Sequence, residues 1–225
     1  MHTWDFLATL ADMDLLLLGL WNTIKVFIFA LAFGIPLGFG LALGRMSRIP
    51  VLSQICSLII EFFRTTPPLV QLFWFFFAFP ILISVQMTPF VASVMTFSIQ
   101  SSAFFAEIFR GGINSIDKGQ WEAAKAIGMT RQSSLRRIIL PQAVKRMIPA
   151  FAERSIELLK TTTLISTVSY ADLMFQANDL ASKTFRPLEV YTVVAVMYFF
   201  LSLIFSQLTS RLEYRLARSG EGTLR

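Results

Sequence analysis

Long apolar stretches alternate with short polar punctuation along this chain, and the stretches are of membrane-crossing length. Residues 20–43 form the first, an apolar run that closes at Gly44-Arg45-Met46-Ser47-Arg48. About twenty apolar residues are what a helix needs to cross the hydrocarbon core of a bilayer. Residues 13–19 before it read as an interfacial approach, with Trp21 at headgroup level and Lys25 near enough to the boundary to snorkel. Inside the run, Gly34 and Gly38 flank Pro36 at a spacing of four, a small-residue face that predicts close contact with another helix.

The next region is apolar over 51–63, ends in Glu61-Phe62-Phe63-Arg64 and meets Thr65-Thr66-Pro67-Pro68. Proline suits the first turn of a helix because that turn has no use for its missing N–H, and threonine can cap such a turn. Residues 51–63 therefore read as a helix near the interface and 67–85 as a second span; one long proline-kinked helix is the competing reading. Glu61 and Arg64 lie three apart and can pair. A third span over 90–109 follows the uncharged turn 86–89, a fourth apolar segment covers 148–174, and residues 175–187 read as a polar loop before a last span at 190–208.

Composition agrees with five spans. The chain of 225 residues is 55% hydrophobic and 15% charged, too few charges for an ordinary soluble domain. In so apolar a chain the net charge of +6 reads as a topology signal rather than a nucleic-acid footprint. Arg45 and Arg48, eight Lys/Arg within 110–147 and four in the C-terminal tail lie on one side; the N-terminus and the 86–89 turn carry none. The positive-inside rule puts the N-terminus outside, and the 110–147 loop and C-terminus in the cytosol. Cys56 is the lone cysteine, so neither an intrachain disulfide nor a cysteine metal site is expected, and His2 at the terminus is no ligand. The acidic start (Asp5, Asp12, Asp14) lacks the basic region of a signal peptide, so the first span is retained.

The loop holds the most elaborate polar pattern. Asp117 and Gln120 have capping-box spacing, helical character runs to Gly128 as the expected C-terminal glycine, and Thr130 can cap a second helix from Arg131 to about Leu140, which Pro141 ends. Trp121, Ala124 and Ile127 recur at intervals of three, and small Ala123 and Ala124 leave room for a partner surface. Two readings stand at this point: a solvated loop drawn to anionic lipid, or a protein dock. In the fourth segment, Glu153, Glu157 and Lys160 fall within an arc of about 60° beside Thr161, with Arg154 about 100° away. Charges inside a span face a cavity or each other, so this stripe is either satisfied near the headgroups, with a Glu157–Lys160 pair, or lines a substrate path.

Glu122-Ala123-Ala124, then Gly128, Ile138 and Leu140-Pro141 at their spacings, resemble the cytoplasmic EAA-type motif of ABC importer permeases. Ser102–Ile113, Lys118-Gly119-Gln120, Phe63-Arg64 through Gln71 and Leu158-Leu159-Lys160 are similar to the polar amino acid branch of that family. The resemblance covers about residues 19–218 and implies an all-α, type I permease: an external segment 1–19, a permease domain 20–218 with a coupling loop at 110–147, and a tail 219–225. It implies a multi-pass protein of the bacterial cytoplasmic membrane. It also implies two ATP-binding subunits, a solute-binding protein that delivers the amino acid, and a second permease subunit, identical or homologous. By resemblance Glu122, Ala123, Ala124, Gly128, Ile138, Leu140 and Pro141 couple to the ATPase, and Glu153, Arg154, Glu157, Lys160 and Thr161 are candidates for the path. The chain has no GxxxxGK[ST] loop, so it is expected to bind no cofactor, with ATP and magnesium used by the partner.

The family pattern here runs N-E-x-x-x-L-L-K-D-T-S-L, whereas this chain has Arg154 at the glutamate and Thr161 at the aspartate. That departure leaves the substrate side chain open. Two other function classes remain to be weighed. A channel or secondary transporter would call for a filter or an inverted repeat, which the pattern does not show. A membrane scaffold would use the loop to recruit a signalling protein.

Overall fold

The computed structural model describes residues 6–218, whose regular structure is helical. The expectations for His2 and the tail 219–225 lie outside those residues. Helix α1 spans Phe6–Ala11 and α2 spans Met13–Arg45. The stretch 13–19, expected as a separate approach, is instead the first two turns of α2, because Leu15–Leu18 favour helix and Gly19 is a single weak position.

Helix α3 spans Pro50–Thr65, α4 Pro68–Phe73 and α5 Phe79–Ile83, with a π-helical turn over Trp74–Ala78 joining the last two. A break of 106° separates Pro50–Thr65 from Pro68–Ile83, far beyond a proline kink, so the single-helix reading is rejected. Its cause is local: each residue that precedes a proline is pushed out of the helical region, and both Thr66 (ψ 136°) and Pro67 (ψ 135°) are extended. The bend leaves carbonyls without helical partners, and the buried Gln71 amide donates to Phe63 O (3.0 Å) and Thr66 O (2.9 Å).

Helix α6 spans Pro89–Asn114, opened by Thr88, whose Oγ1 accepts from Val91 N at 3.3 Å. It lies along α2, and the expected glycine contact is present. A Cβ on Gly34 would stand 3.2 Å from Ser98 O, and one on Gly38 would stand 2.7 Å from Ser102 O and from Phe105 Cβ. Beyond α6 come α7 (Lys118–Ala126), α8 (Arg131–Ser134), a π-helical turn over Leu135–Ile139 and α9 (Leu140–Thr161).

The apolar segment expected as one span at 148–174 is divided. Helix α9 ends at Thr161, a 3-10 turn covers Thr162–Val168, and the chain then turns through Ser169 at φ 59°. The polar loop expected at 175–187 is largely helix α10, Leu173–Thr184, capped by Asp172, whose Oδ1 accepts from Phe175 N at 2.8 Å. Its buried Leu173, Ala177, Leu180 and Ala181 follow helical spacing, a signal masked by the polar residues between them. Asn22 Nδ2 donates to Ala171 O (2.7 Å) and Leu173 N to Thr23 Oγ1 (3.2 Å), fastening α10 to α2. The last helix, α11, runs from Pro187 to Arg218, longer than the 190–208 expected.

Among the described residues, α2, α6 and α11 are each long and apolar enough to cross a membrane, and the bent α3–α5 pair is a fourth crossing if taken as one. A central core joins Phe27, Phe97, Leu158 and Ile165 from α2, α6, α9 and the 3-10 turn. A second core packs Leu16 and Leu173 against Val190 and Val194.

Gly38→Ala forces a methyl into backbone and should destabilise the fold by about 1–3 kcal/mol. Gly40→Ala, with open space at that position, should be neutral or slightly stabilising. Thermal unfolding of the two variants in detergent checks this; equal midpoints would contradict the packing argument.

Candidate functional site

Two regions carry the chemistry, and α9 joins them. The first is the α7–α8 turn. Helix α7 ends in a Schellman motif: Gly128, at φ 79°, donates its N–H to Lys125 O and Met129 donates to Ala124 O, both at 3.0 Å. Glycine, with no Cβ, takes that positive φ without strain. Thr130 caps α8 as expected, its Oγ1 accepting from Ser133 N at 3.3 Å.

Three expectations need correction. Asp117 makes no side-chain cap bond, and Gln120 instead accepts at its Oε1 from Gln142 Nε2 (3.3 Å), a link from α7 to α9. Ala124 is not open to a partner: it is buried, while half-buried Trp121 packs on the Ile113, Ile139 and Met147 core. Ile127 does not share that inner face, because the helix ends there, and it is 74% exposed. The outward surface is thus Glu122, Ala123, Ile127 and Gly128.

Pro141 does not end the second helix. Leu140 N donates to Leu135 O in a π turn, and α9 follows without interruption. A proline lacks the N–H and collides with the carbonyl four residues back; widening the preceding turn by one residue relieves both problems. The same device recurs where Phe79 N donates to Trp74 O just before Pro80. Residues 131–161 therefore form one continuous helical run of about 45 Å along its axis, with Pro149 inside it. Ile138 and Leu140 are partly buried along it, with Ile138 against the Ile139 core, and Pro141 is exposed.

The second region is the charged face of α9. Glu153, Glu157 and Lys160 are exposed, and the Thr161 hydroxyl donates back to Glu157 O at 2.8 Å. The expected Glu157–Lys160 pair is replaced by Arg154 Nη1–Glu157 Oε2 at 2.7 Å. Arg154, set apart from the stripe by its angle, is long enough to reach across one turn. Its side chain is only 7% accessible, and its guanidinium lies 3.5 Å from the centroid of the Phe104 ring. Arg64 stands 5.6 Å from the same centroid, so Phe104 links two cations. Nε and Nη2 of Arg154 have no hydrogen-bond partner among the described residues.

Next to this lies an ion network that the sequence reading missed in part. Glu107 on α6 accepts from Arg45 of α2 and from Arg110 Nη2 at 2.7 Å. Glu61 pairs with Arg64 at 3.7 Å, as its spacing predicts, and with Arg45 at 3.5 Å. The spacing of three between Glu107 and Arg110 was the available signal. Stacking of Phe105 on Phe151 (centroids 5.1 Å apart) then ties α6 to α9.

With this geometry in hand, residues 34–218 match the family described as the inner membrane component of binding-protein-dependent transport systems. The chain belongs to that family. It is 34% identical over 213 residues to the glutamine transport system permease protein GlnP of Escherichia coli (strain K12), covering 94% of this chain and 97% of that one. It is 37% identical over 201 residues to the L-cystine transport system permease protein TcyB of Bacillus subtilis (strain 168), covering 89% and 86%. Among solved structures, the crystal structure of an amino acid ABC transporter with histidines aligns at a TM-score of 0.89 and 38% identity, over 95% of this chain and 100% of that one. An inward-facing MetNI methionine ABC transporter, at 22% identity and a TM-score of 0.75 over 92% and 98%, shares the fold. This is a multi-pass membrane permease, a transport subunit.

A double-mutant cycle tests the Arg154–Phe104 contact. Arg154→Met and Phe104→Leu should show a coupling of about 1–2 kcal/mol in thermal or denaturant unfolding, as expected for a desolvated cation–π pair. Additive effects would mean that the two side chains stabilise the fold independently.

Proposed function

We propose that this chain is one permease subunit of an ATP-driven importer in a bacterial cytoplasmic membrane, and that its cargo is a polar amino acid or similar small zwitterion. The observation that carries this reading is the continuous 131–161 helix, with the capped α7–α8 turn at one end and the charged face of α9 about 24 Å beyond Pro141. A push received at the turn is carried along one continuous helix, through Pro149, to that face. The relatives named for glutamine and L-cystine support the cargo class.

In this reading the chain crosses the membrane five times with its N-terminus outside, α9 and its 3-10 continuation forming the fourth crossing. That crossing is too charged to face lipid, so a second permease subunit, identical or homologous, closes around it. Two ATP-binding subunits dock from the cytosol on Glu122, Ala123, Ile127 and Gly128, and a solute-binding protein delivers cargo from outside. ATP and magnesium are used by the ATPase partner. The amino acid meets Glu153 and Glu157 as acceptors for its ammonium and Lys160 as donor to its carboxylate, with Thr161 beside them. Arg154 holds Glu157 in place from behind. ATP binding draws the docked turns of the two permeases together, the helices tilt, and the path opens alternately to each side.

In proteoliposomes of the assembled complex, Glu157→Gln or Lys160→Met should lower uptake on the order of tenfold, the loss of one charge-assisted hydrogen bond, while the subunits still co-purify. Wild-type uptake by both variants would make the stripe structural.

Gly128→Val strains the left-handed position, and Glu122→Lys reverses the exposed charge. Each should depress uptake more than basal ATP hydrolysis. Unchanged uptake together with unchanged recovery of the ATPase would overturn the docking assignment.

A further inference from the structure

Between the end of α2, the end of α6 and the α7–α8 turn lies a cavity of about 940 Å³. Four cations line it: Arg48 just after α2, Lys118 and Lys125 on α7, and Arg131 opening α8. No aspartate or glutamate lines the cavity, and none of the four cations is ion-paired among the described residues. Elsewhere near this end of the molecule, Arg45, Arg64, Arg110 and Arg154 are all paired with carboxylates. The cavity therefore concentrates positive charge that the chain itself does not neutralise.

Its floor is apolar, with Leu43 and Met46 from the end of α2 and Trp121 from α7. Leu43 closes the apolar run of α2 and is 43% exposed, about 60° around the helix from exposed Gly40. The cavity thus sits where the apolar run of α2 gives way to basic residues. A hydrated inorganic anion matches the charge but not the floor. An acidic protein surface matches the cations but not the apolar lining at the end of a span-length helix.

We infer that this cavity binds an anionic phospholipid, with its phosphate among Arg48, Lys118, Lys125 and Arg131 and its first methylenes against Leu43 and Met46. Basic pockets between spans on the cytoplasmic side are suited to such headgroups. Because Arg48 belongs to the α2 end and the other three to α7–α8, one headgroup bridges the span to the turn and braces it against the membrane. The inference rests on the importer reading only for naming the inner leaflet.

Trp121 provides a reporter. In the full chain with Trp4→Phe, Trp21→Phe and Trp74→Phe, reconstituted in phosphatidylcholine nanodiscs, its fluorescence is measured against brominated phosphatidylglycerol or brominated phosphatidylcholine at equal mole fraction. Phosphatidylglycerol should quench more strongly, and each neutralisation, Arg48→Gln or Arg131→Gln, should cut that preference about fivefold. Arg48→Lys and Arg131→Lys should retain it, which separates charge from misfolding. Equal quenching by the two lipids would overturn the inference, as would a preference that survives both neutralisations. Relief of quenching by inorganic phosphate, but not by chloride at equal ionic strength, would assign the cavity to a soluble anion instead. No transport is measured, so failure here leaves the importer reading untouched.

Discussion

Between Gly34 and Gly38 of α2 and the Ser98–Phe105 stretch of α6, two backbones approach so closely that one methyl group would strike a carbonyl. Hydrocarbon offers no hydrophobic drive to hold helices together, so close packing and polar contacts must do it. The other elements are mounted on this pair. Helix α3 is held at its base through Arg45, Glu61 and Glu107; α9 is held through Phe105 and Phe151; and α10 rests on α2 beside Gly19 and Thr23. The charged face of α9 and the α7–α8 turn take their positions from that frame.

Prolines then decide where the chain bends and where it does not. Pro67 and Pro68 break the chain by 106°, because two successive residues are driven to extended backbone and the freed carbonyls find a partner in Gln71. Pro80 and Pro141 do the opposite: a π turn ahead of each absorbs the missing donor and the helix continues. For function the second case matters more. A helix ended at Pro141 would leave the turn on a separate element, whereas the widened turn keeps 131–161 one continuous helix.

Charge follows one pattern around the ends of α2 and α6 and another in the cavity beside α7. Glu107, half-buried, is held by two arginines, and Arg154 is held by one carboxylate and one ring face. Ionised groups taken out of water are tolerable only on such terms. Arg48, Lys118, Lys125 and Arg131 stand outside that scheme, lining a cavity that has no carboxylate in its wall.

Much of this was legible in the residues. The spans over 20–43, 90–109 and 190–208, the Gly34/Gly38 contact, the Glu61–Arg64 pair, Gly128 as a left-handed stop and Thr130 as a cap all follow from local rules of hydrophobicity, sterics and hydrogen bonding, and these act within a few residues. The spacing from Glu122 to Pro141 likewise named the family. What could not be read locally was direction. Ala124 turns inward and Ile127 outward, Arg154 reaches Glu157 beneath Phe104, α10 forms where a loop was expected, and Pro141 lies within a helix. Each of these depends on a neighbour distant in the chain or on a turn able to widen. The sequence by itself determined three of the span-length helices and the capped turn at Gly128, because hydrophobicity and capping are written in local pattern. Only the tertiary structure decided which charges are paired and how the turn is joined to the charged face of α9, because packing between α2, α6 and α9 selects among side-chain directions that the pattern leaves equal.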